Sequence, residues 1–146
     1  MMPFEELTES QRAYRLEEAL KLSEEARKNL YGIGMQKERT VHSVLKFYLE
    51  PDSEQHEIPI GSFIADIYHR DPPEVLEIQT ANFGNLRKKL DAFLQEMPVT
   101  VIYPIPWHKW VYWSDPEIGE VSSGHKSPKT GQLYMILPEL YRISSY

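Results

Sequence analysis

The chain contains no cysteine, so a disulfide framework, a thiolate metal site and a thiol nucleophile are all closed to it. A reducing compartment suits such a composition, and cytoplasmic localisation is the expectation. Long apolar runs are missing as well. The first thirty residues intersperse Glu with Lys and Arg, and no stretch approaches the roughly 20 apolar residues of a membrane span. The expectation is a protein neither exported nor anchored in a membrane. Clustered basic charge is the third absence: the net charge is −6, which argues against a dedicated nucleic-acid coat. That average hides an asymmetry. Residues 1–80 carry 9 basic and 16 acidic side chains, whereas residues 81–146 carry 7 and 6, so any surface facing a polyanion belongs to the second half.

What is present reads as one globular domain. The 146 residues, 41% hydrophobic and 26% charged, suffice for one core but not comfortably for two. Thr8 with Gln11 forms a capping-box signature ahead of Ala13, Leu16, Ala19, Leu20, Leu22, Ala26 and Leu30, which predicts a helix over 9–30. Gly32 and Gly34 end it. Val41, Val44, Leu45 and Tyr48 predict a second amphipathic helix over 36–49, closed by Pro51 and the polar run 52–57. The pattern then changes period. Ile58, Ile60 and residues 62–69 predict a hairpin turned at Pro59 or Gly61, and 71–74 reads as a turn because two prolines do not fit inside a ladder. Residues 75–80 predict a strand, a helix capped by Asn85 carries Leu86, Leu90, Phe93 and Leu94, and the apolar run 99–103 predicts a strand covered on both faces. Residues 109–113 and 120–122 suggest a further hairpin turned at 115–119. A short helix over 133–141, interrupted by Pro138, ends the chain. It stops almost at once at Ser144-Ser145-Tyr146, as a piece of a longer chain would, so further domains beyond Tyr146 are left open.

Strand alternation puts Glu77 and Gln79 on one face, and Asp66 on the preceding strand with Ile64 and Tyr68, opposite Phe63, Ala65 and Ile67. A hairpin through Pro72 and Pro73 brings Asp66 near Glu77. Two carboxylates in a poorly hydrated sheet repel unless a cation lies between them, and oxygen ligands favour Mg2+ or Mn2+. The order helix, strand, strand with Asp66, strand with Glu77-x-Gln79, helix, strand resembles the αβββαβ restriction-endonuclease-like core of the PD-(D/E)xK nuclease superfamily, over residues 33–105. It implies an α/β fold, a mixed sheet flanked by helices, with 9–30 as an N-terminal helix and 106–146 as a C-terminal extension of hairpin and short helix. The stretch from Gly34 to His42 resembles the first-helix signature of RecB-like nucleases, in which His42 joins the site. Glu38, one helical turn earlier, alternatively resembles the helix-one glutamate of Holliday-junction resolvases. Residues 77–80, 85–90, 101–105 and 126–129 resemble an uncharacterised bacterial group of nuclease-like proteins.

The resemblance implies a nuclease, endo- or exonucleolytic, hydrolysing DNA. Asp66 and Glu77 hold the ion, the main-chain carbonyl of Ile78 completes the shell, Gln79 orients water, and His42 or Glu38 supports the site. Gln79 departs from the pattern, which has lysine there, and Lys88 or Lys89 on the next helix is the candidate to restore the charge. Arg87, Lys88, Lys89, Lys126 and Lys129 are the candidate contacts to nucleic acid. Trp107, Trp110, Tyr112 and Trp113 suit either unpaired bases or an apolar contact. His69 is either a helper of Asp66 or an exposed turn residue. The rival reading is a nuclease fold that has lost catalysis and docks a nucleic acid or a protein; a homodimer is left open.

Overall fold

A computed structural model describes residues 7–30, 37–113 and 123–146. Helix α1 (Glu9–Leu30) opens on the reciprocal cap expected of Thr8 and Gln11: Gln11 N–H donates to the Thr8 hydroxyl oxygen, and Gln11 Oε1 accepts the Thr8 N–H at 2.9 Å. Helix α2 (Lys37–Leu49) packs against it. The contact is made by small side chains. Ala19 and Ser23 are buried, Ser23 Oγ meets Ser43 Oγ at 2.9 Å, and Arg15 donates to the Leu49 carbonyl at 2.8 Å. Leu16 and Leu20 stay nearly half exposed, so much of the apolar stripe of α1 is uncovered. The expected break at Gly32 and Gly34 lies outside the described residues.

Four strands follow in one mixed sheet of order β1-β2-β3-β4: β1 (His56–Ile60), β2 (Phe63–Arg70), β3 (Pro73–Ile78) and β4 (Val99–Ile102). β1 and β2 join through Gly61-Ser62. Gly61 has φ +59°, the left-handed conformation that the first central position of a type II′ hairpin turn requires. β2 and β3 are antiparallel from Arg70↔Pro73 to Ile67↔Leu76. Pro73 is the first residue of its strand, where a missing N–H is tolerated. β3 and β4 are parallel and therefore need a crossover, supplied by a 3-10 turn (Phe83–Leu86) and helix α3 (Arg87–Phe93).

Helices cover both faces. On one, Leu45 and Leu49 of α2 pack on Ile67, Leu76, Ile78 and Ile102. On the other, Phe93 packs on Ala65 and Val75, and Phe83, Leu86 and Leu90 pack on Val99, Val101 and Tyr103. Ile136 and Ile143 pin the C-terminal segment to that last cluster. β4 is an edge strand with apolar contacts on both sides but with Thr100 exposed, so its cover is thinner than the continuous apolar run predicts. The C-terminal helix is a 3-10 turn (Leu133–Ile136) running into α4 (Leu137–Arg142). Pro138 lies in the first turn of α4, where proline interrupts no helical bond. A two-stranded ribbon pairs β5 (Trp110–Val111) with β6 (His125–Lys126). The expected turn 115–119 and arm 120–122 lie outside the described residues. No helix among the described residues is long and apolar enough to cross a membrane.

The sheet has one irregularity, and it falls at Asp66. Ala65 belongs to the core on the α3 side and Ile67 to the core on the α2 side, although residues two apart on a regular strand share a face. The alternation that groups Asp66 with Ile64 and Tyr68, opposite both Ala65 and Ile67, is thereby corrected: β2 turns over at this position with no residue inserted, because Glu57 and Asp66 lie one against one between paired neighbours. The β1–β2 register passes over the same place, pairing His56↔Ile67 and Ile58↔Ala65, and Glu57 between them has φ +52°. A left-handed glutamate costs about 1–2 kcal/mol, and this cost falls at a cluster of ionisable groups.

Candidate active site

Released from the regular ladder, Asp66 turns its carboxylate to the gap between β2 and β3. Asp66 Oδ2 accepts the Ile78 N–H at 2.8 Å and lies 3.1 Å from His42 Nε2, while Glu77 Oε1 accepts the Asp66 N–H at 3.3 Å. The two side chains thus replace the ladder bonds that β2 and β3 would otherwise share at this end. Asp66 and Glu77 are brought to one opening of the sheet. Ile78 directs its N–H toward Asp66, and strand geometry sends its carbonyl to the same side. Glu77 is 2% exposed, and its other oxygen, Oε2, accepts from Lys89 Nζ of α3 at 2.7 Å.

The two carboxyls are driven apart in acidity. Burial raises Glu77 above its ordinary value, against the Lys89 hydrogen bond, and the neighbouring Asp66 charge raises it further. Burial acts upward on Asp66 too, but the His42 hydrogen bond, the Ile78 N–H and the charges of His42 and Lys89 together hold it below the ordinary range. Oδ1 of Asp66 makes no hydrogen bond among the described residues.

Two further residues complete the cluster. Lys46 of α2, one turn after His42 and 8% exposed, donates to Glu57 Oε1 at 2.6 Å. Lys46 lowers the Glu57 carboxyl, and the charges of Asp66 and His42 are felt there as well. The sequence reading missed both. Lys46 had a signal, since four residues after His42 it shares that face of the helix. Glu57 had none, because a polar run gives no warning of a strand residue with positive φ.

The remaining candidates are distributed differently. Gln79 lies just beyond the end of β3, and its amide donates to the carbonyls of Ala81 and Asn82, away from Asp66 and Glu77. Strand alternation no longer governs its side chain once the ladder has stopped. Of the basic trio on α3, Lys89 enters the site, Lys88 is exposed, and Arg87 donates from Nε to the Arg142 carbonyl at 2.8 Å. Lys126 Nζ lies 3.3 Å from His108 Nε2, and Lys129 is exposed. Glu38 falls in the first turn of α2, where its side chain lies outside what is described. His69 is in β2 and not in a turn; it pairs with buried Glu50 at 3.1 Å and faces Glu74 at 3.9 Å. It therefore belongs to a second polar cluster, at the far end of α2.

Among the described residues, no three His, Cys, Asp or Glu side chains are arranged to hold a metal ion. The oxygen donors of Asp66, Glu77 and the Ile78 carbonyl are nevertheless of the kind that suits a hard cation, and Asp66 Oδ1 has no partner among the described residues.

The profile of a domain of unknown function, DUF8091, matches residues 39–146. An uncharacterised protein of Treponema pallidum (strain Nichols) is 31% identical over 107 residues, which cover 73% of this chain and 42% of that protein. The chain therefore corresponds to less than half of that relative. No solved structure matches.

Proposed function

This chain belongs to the DUF8091 family, and from the site it carries we propose that it is a metal-dependent nuclease hydrolysing phosphodiester bonds of DNA. The observation that carries the reading is the meeting of Asp66 and Glu77 in one opening of the sheet, with a lysine 2.7 Å from the buried carboxylate. Asp66, Glu77 and the Ile78 carbonyl would hold Mg2+ or Mn2+. Such an ion polarises a phosphoryl oxygen and acidifies a water molecule. His42 keeps Asp66 charged and oriented. Lys89 brings positive charge to Glu77 from a different backbone position than the strand lysine of the PD-(D/E)xK pattern, and so is the candidate to answer the departure at Gln79. The order α2-β1-β2-β3-α3-β4 supports the same superfamily reading. A cysteine-free chain suits work in the cytoplasm.

One observation favours the rival docking module. Asp66 already has His42 as a side-chain partner at 3.1 Å, and Lys89 already pairs with Glu77 at 2.7 Å, without an ion. The two readings part in a calorimetric titration with Mg2+ and Mn2+, followed by cleavage assays with and without chelator. The nuclease binds an ion at millimolar concentration or below and cuts only when it is present, and Asp66→Ala abolishes both. No heat and no cleavage in the wild type leaves the docking module.

A further inference from the structure

An open groove of about 680 Å³ lies between the turn before α3 and the C-terminal helix, lined by Gly84, Arg87, Pro138, Tyr141 and Arg142. Its walls are tied together. Phe83 N–H donates to Glu139 Oε2 at 2.8 Å, Arg87 Nε to the Arg142 carbonyl at 2.8 Å, and Tyr146 Oη to Asp91 Oδ1 at 2.7 Å. Beneath them, Ile136 and Ile143 pack on Phe83, Leu86 and Leu90. The groove is therefore held in shape by contacts that use none of its outward-facing groups.

Two features of the lining select a ligand. Arg87 spends only Nε on the protein, so both of its terminal nitrogens are without a partner among the described residues. Arg142 is 52% exposed in its side chain and meets one carboxylate, Glu139, at 3.3 Å. Paired guanidinium forks suit a phosphate. Beside them Tyr141 is 80% exposed, so a largely uncovered aromatic side chain stands next to the two arginines. An aromatic face next to phosphate-binding arginines is the arrangement that holds an unpaired base and its backbone together. In a duplex interior both faces of every base are already stacked, so this ring has nothing to take.

We propose that the groove binds single-stranded nucleic acid, with a phosphate on Arg87 and Arg142 and an adjoining base on Tyr141. The inference rests on reading Asp66 and Glu77 as a phosphodiester-cleaving site, and it narrows the substrate of that site to strands with unpaired bases. Arg87 and Lys89 are two positions apart in the first turn of α3, which at 100° per residue sets them on opposite sides of the helix, with exposed Lys88 between them, so α3 carries both a groove residue and a partner of the buried carboxylate.

The test uses the full chain in chelator, so that nothing is cut, and fluorescence anisotropy of a labelled oligodeoxythymidylate of about 12 nucleotides against a blunt duplex of equal length. The single strand is expected to bind at least ten-fold more tightly than the duplex. Tyr141→Ala should weaken single-strand binding about ten-fold while leaving its salt dependence unchanged, since stacking carries no charge. Arg142→Gln should weaken binding and reduce the slope of log K against log salt by roughly 0.7, the value of one phosphate contact on a single strand. Equal affinity for both DNA forms, no binding of either at about 100 μM, or variants that bind like the wild type would each overturn the proposal. So would a dimer that Tyr141→Ala converts to monomer, because the occupant would then be a second copy of the chain. Variant-sensitive single-strand binding without any cleavage in Mg2+ or Mn2+ leaves the groove standing and removes the nuclease. Cleavage of duplex DNA that is indifferent to Tyr141→Ala does the reverse.

Discussion

Replacing Lys89 by methionine isolates the electrostatics of the carboxylate pair, because methionine keeps the aliphatic stem and removes only the ammonium 2.7 Å from Glu77 Oε2. Two routes bound the cost. Stripping the partner from a buried charge destabilises a protein by about 3–5 kcal/mol. Glu77 can escape by taking a proton, which for a carboxyl of ordinary pKa near 4.3 costs at most about 3.7 kcal/mol at pH 7. Burial has already lifted Glu77 above that ordinary value, and the Lys89 side chain is 26% exposed, so both bounds shrink. The expectation is a loss of about 2–3 kcal/mol at pH 7, read by urea denaturation in chelator. The pH profile carries the decisive sign. A carboxyl whose folded pKa is raised favours the protonated form in the native state, so its contribution is present below the unfolded pKa and lost as pH rises through the folded one. Without Lys89 the folded pKa rises further, and the deficit of the variant should shrink steadily as pH falls from 7 toward 4. Glu77→Gln added to Lys89→Met should restore most of the stability at pH 7. A deficit that does not change with pH, or one below about 0.5 kcal/mol, would refute the claim that Lys89 neutralises a buried charge.

Two further expectations concern other parts of the molecule. Burial lowers the His56 pKa against its bond to the Glu50 carbonyl, and the Lys46 charge lowers it further; a His so depressed contributes stability that is present above about pH 6.5 and is lost on acidification through the lowered value. Thermal melts between pH 7.5 and 5 should show a shallower acid loss for His56→Gln than for the wild type, and parallel profiles would exclude this titration. Gly61→Ala meets no atom within 4 Å but must hold φ near +59°, so it should cost about 1 kcal/mol in urea denaturation; a neutral result would mean that the turn adopts another conformation at no cost.

Much of the architecture is legible in the residues because local signals suffice for it. The Thr8–Gln11 box, the turn at Gly61 and the strand around Val75 require no knowledge of distant partners. Asp66 and Glu77 are legible as a pair because one short turn joins their strands. What escapes is whatever depends on local twist or on a third element. An alternation pattern assumes that successive residues face opposite sides, so it could not foresee the change of face at Asp66 or the left-handed Glu57. Residues 75–80 look equally extended, yet the ladder stops at Ile78 and frees Gln79 to face its own loop. Lys46 and Lys89 each sit on a helix, where a lysine pointing at water and a lysine pointing at a buried carboxylate have the same sequence appearance.

The counter-charge of Glu77 stands on a helix and not on its own strand, and this changes what the hydrophobic core controls. A lysine on the strand would keep its distance from the carboxylate through two peptide units, whatever the rest of the molecule did. Lys89 keeps it only because Leu90 and Phe93, on the same short helix, are seated in two clusters under the sheet. The depth at which those side chains pack sets the reach of the ammonium, so acidity at the centre of the molecule is calibrated by methyl groups and an aromatic ring that carry no charge. Drift in the core of such a chain, ordinarily silent outside stability, becomes a means of tuning the voltage at a carboxylate that no mutation has touched.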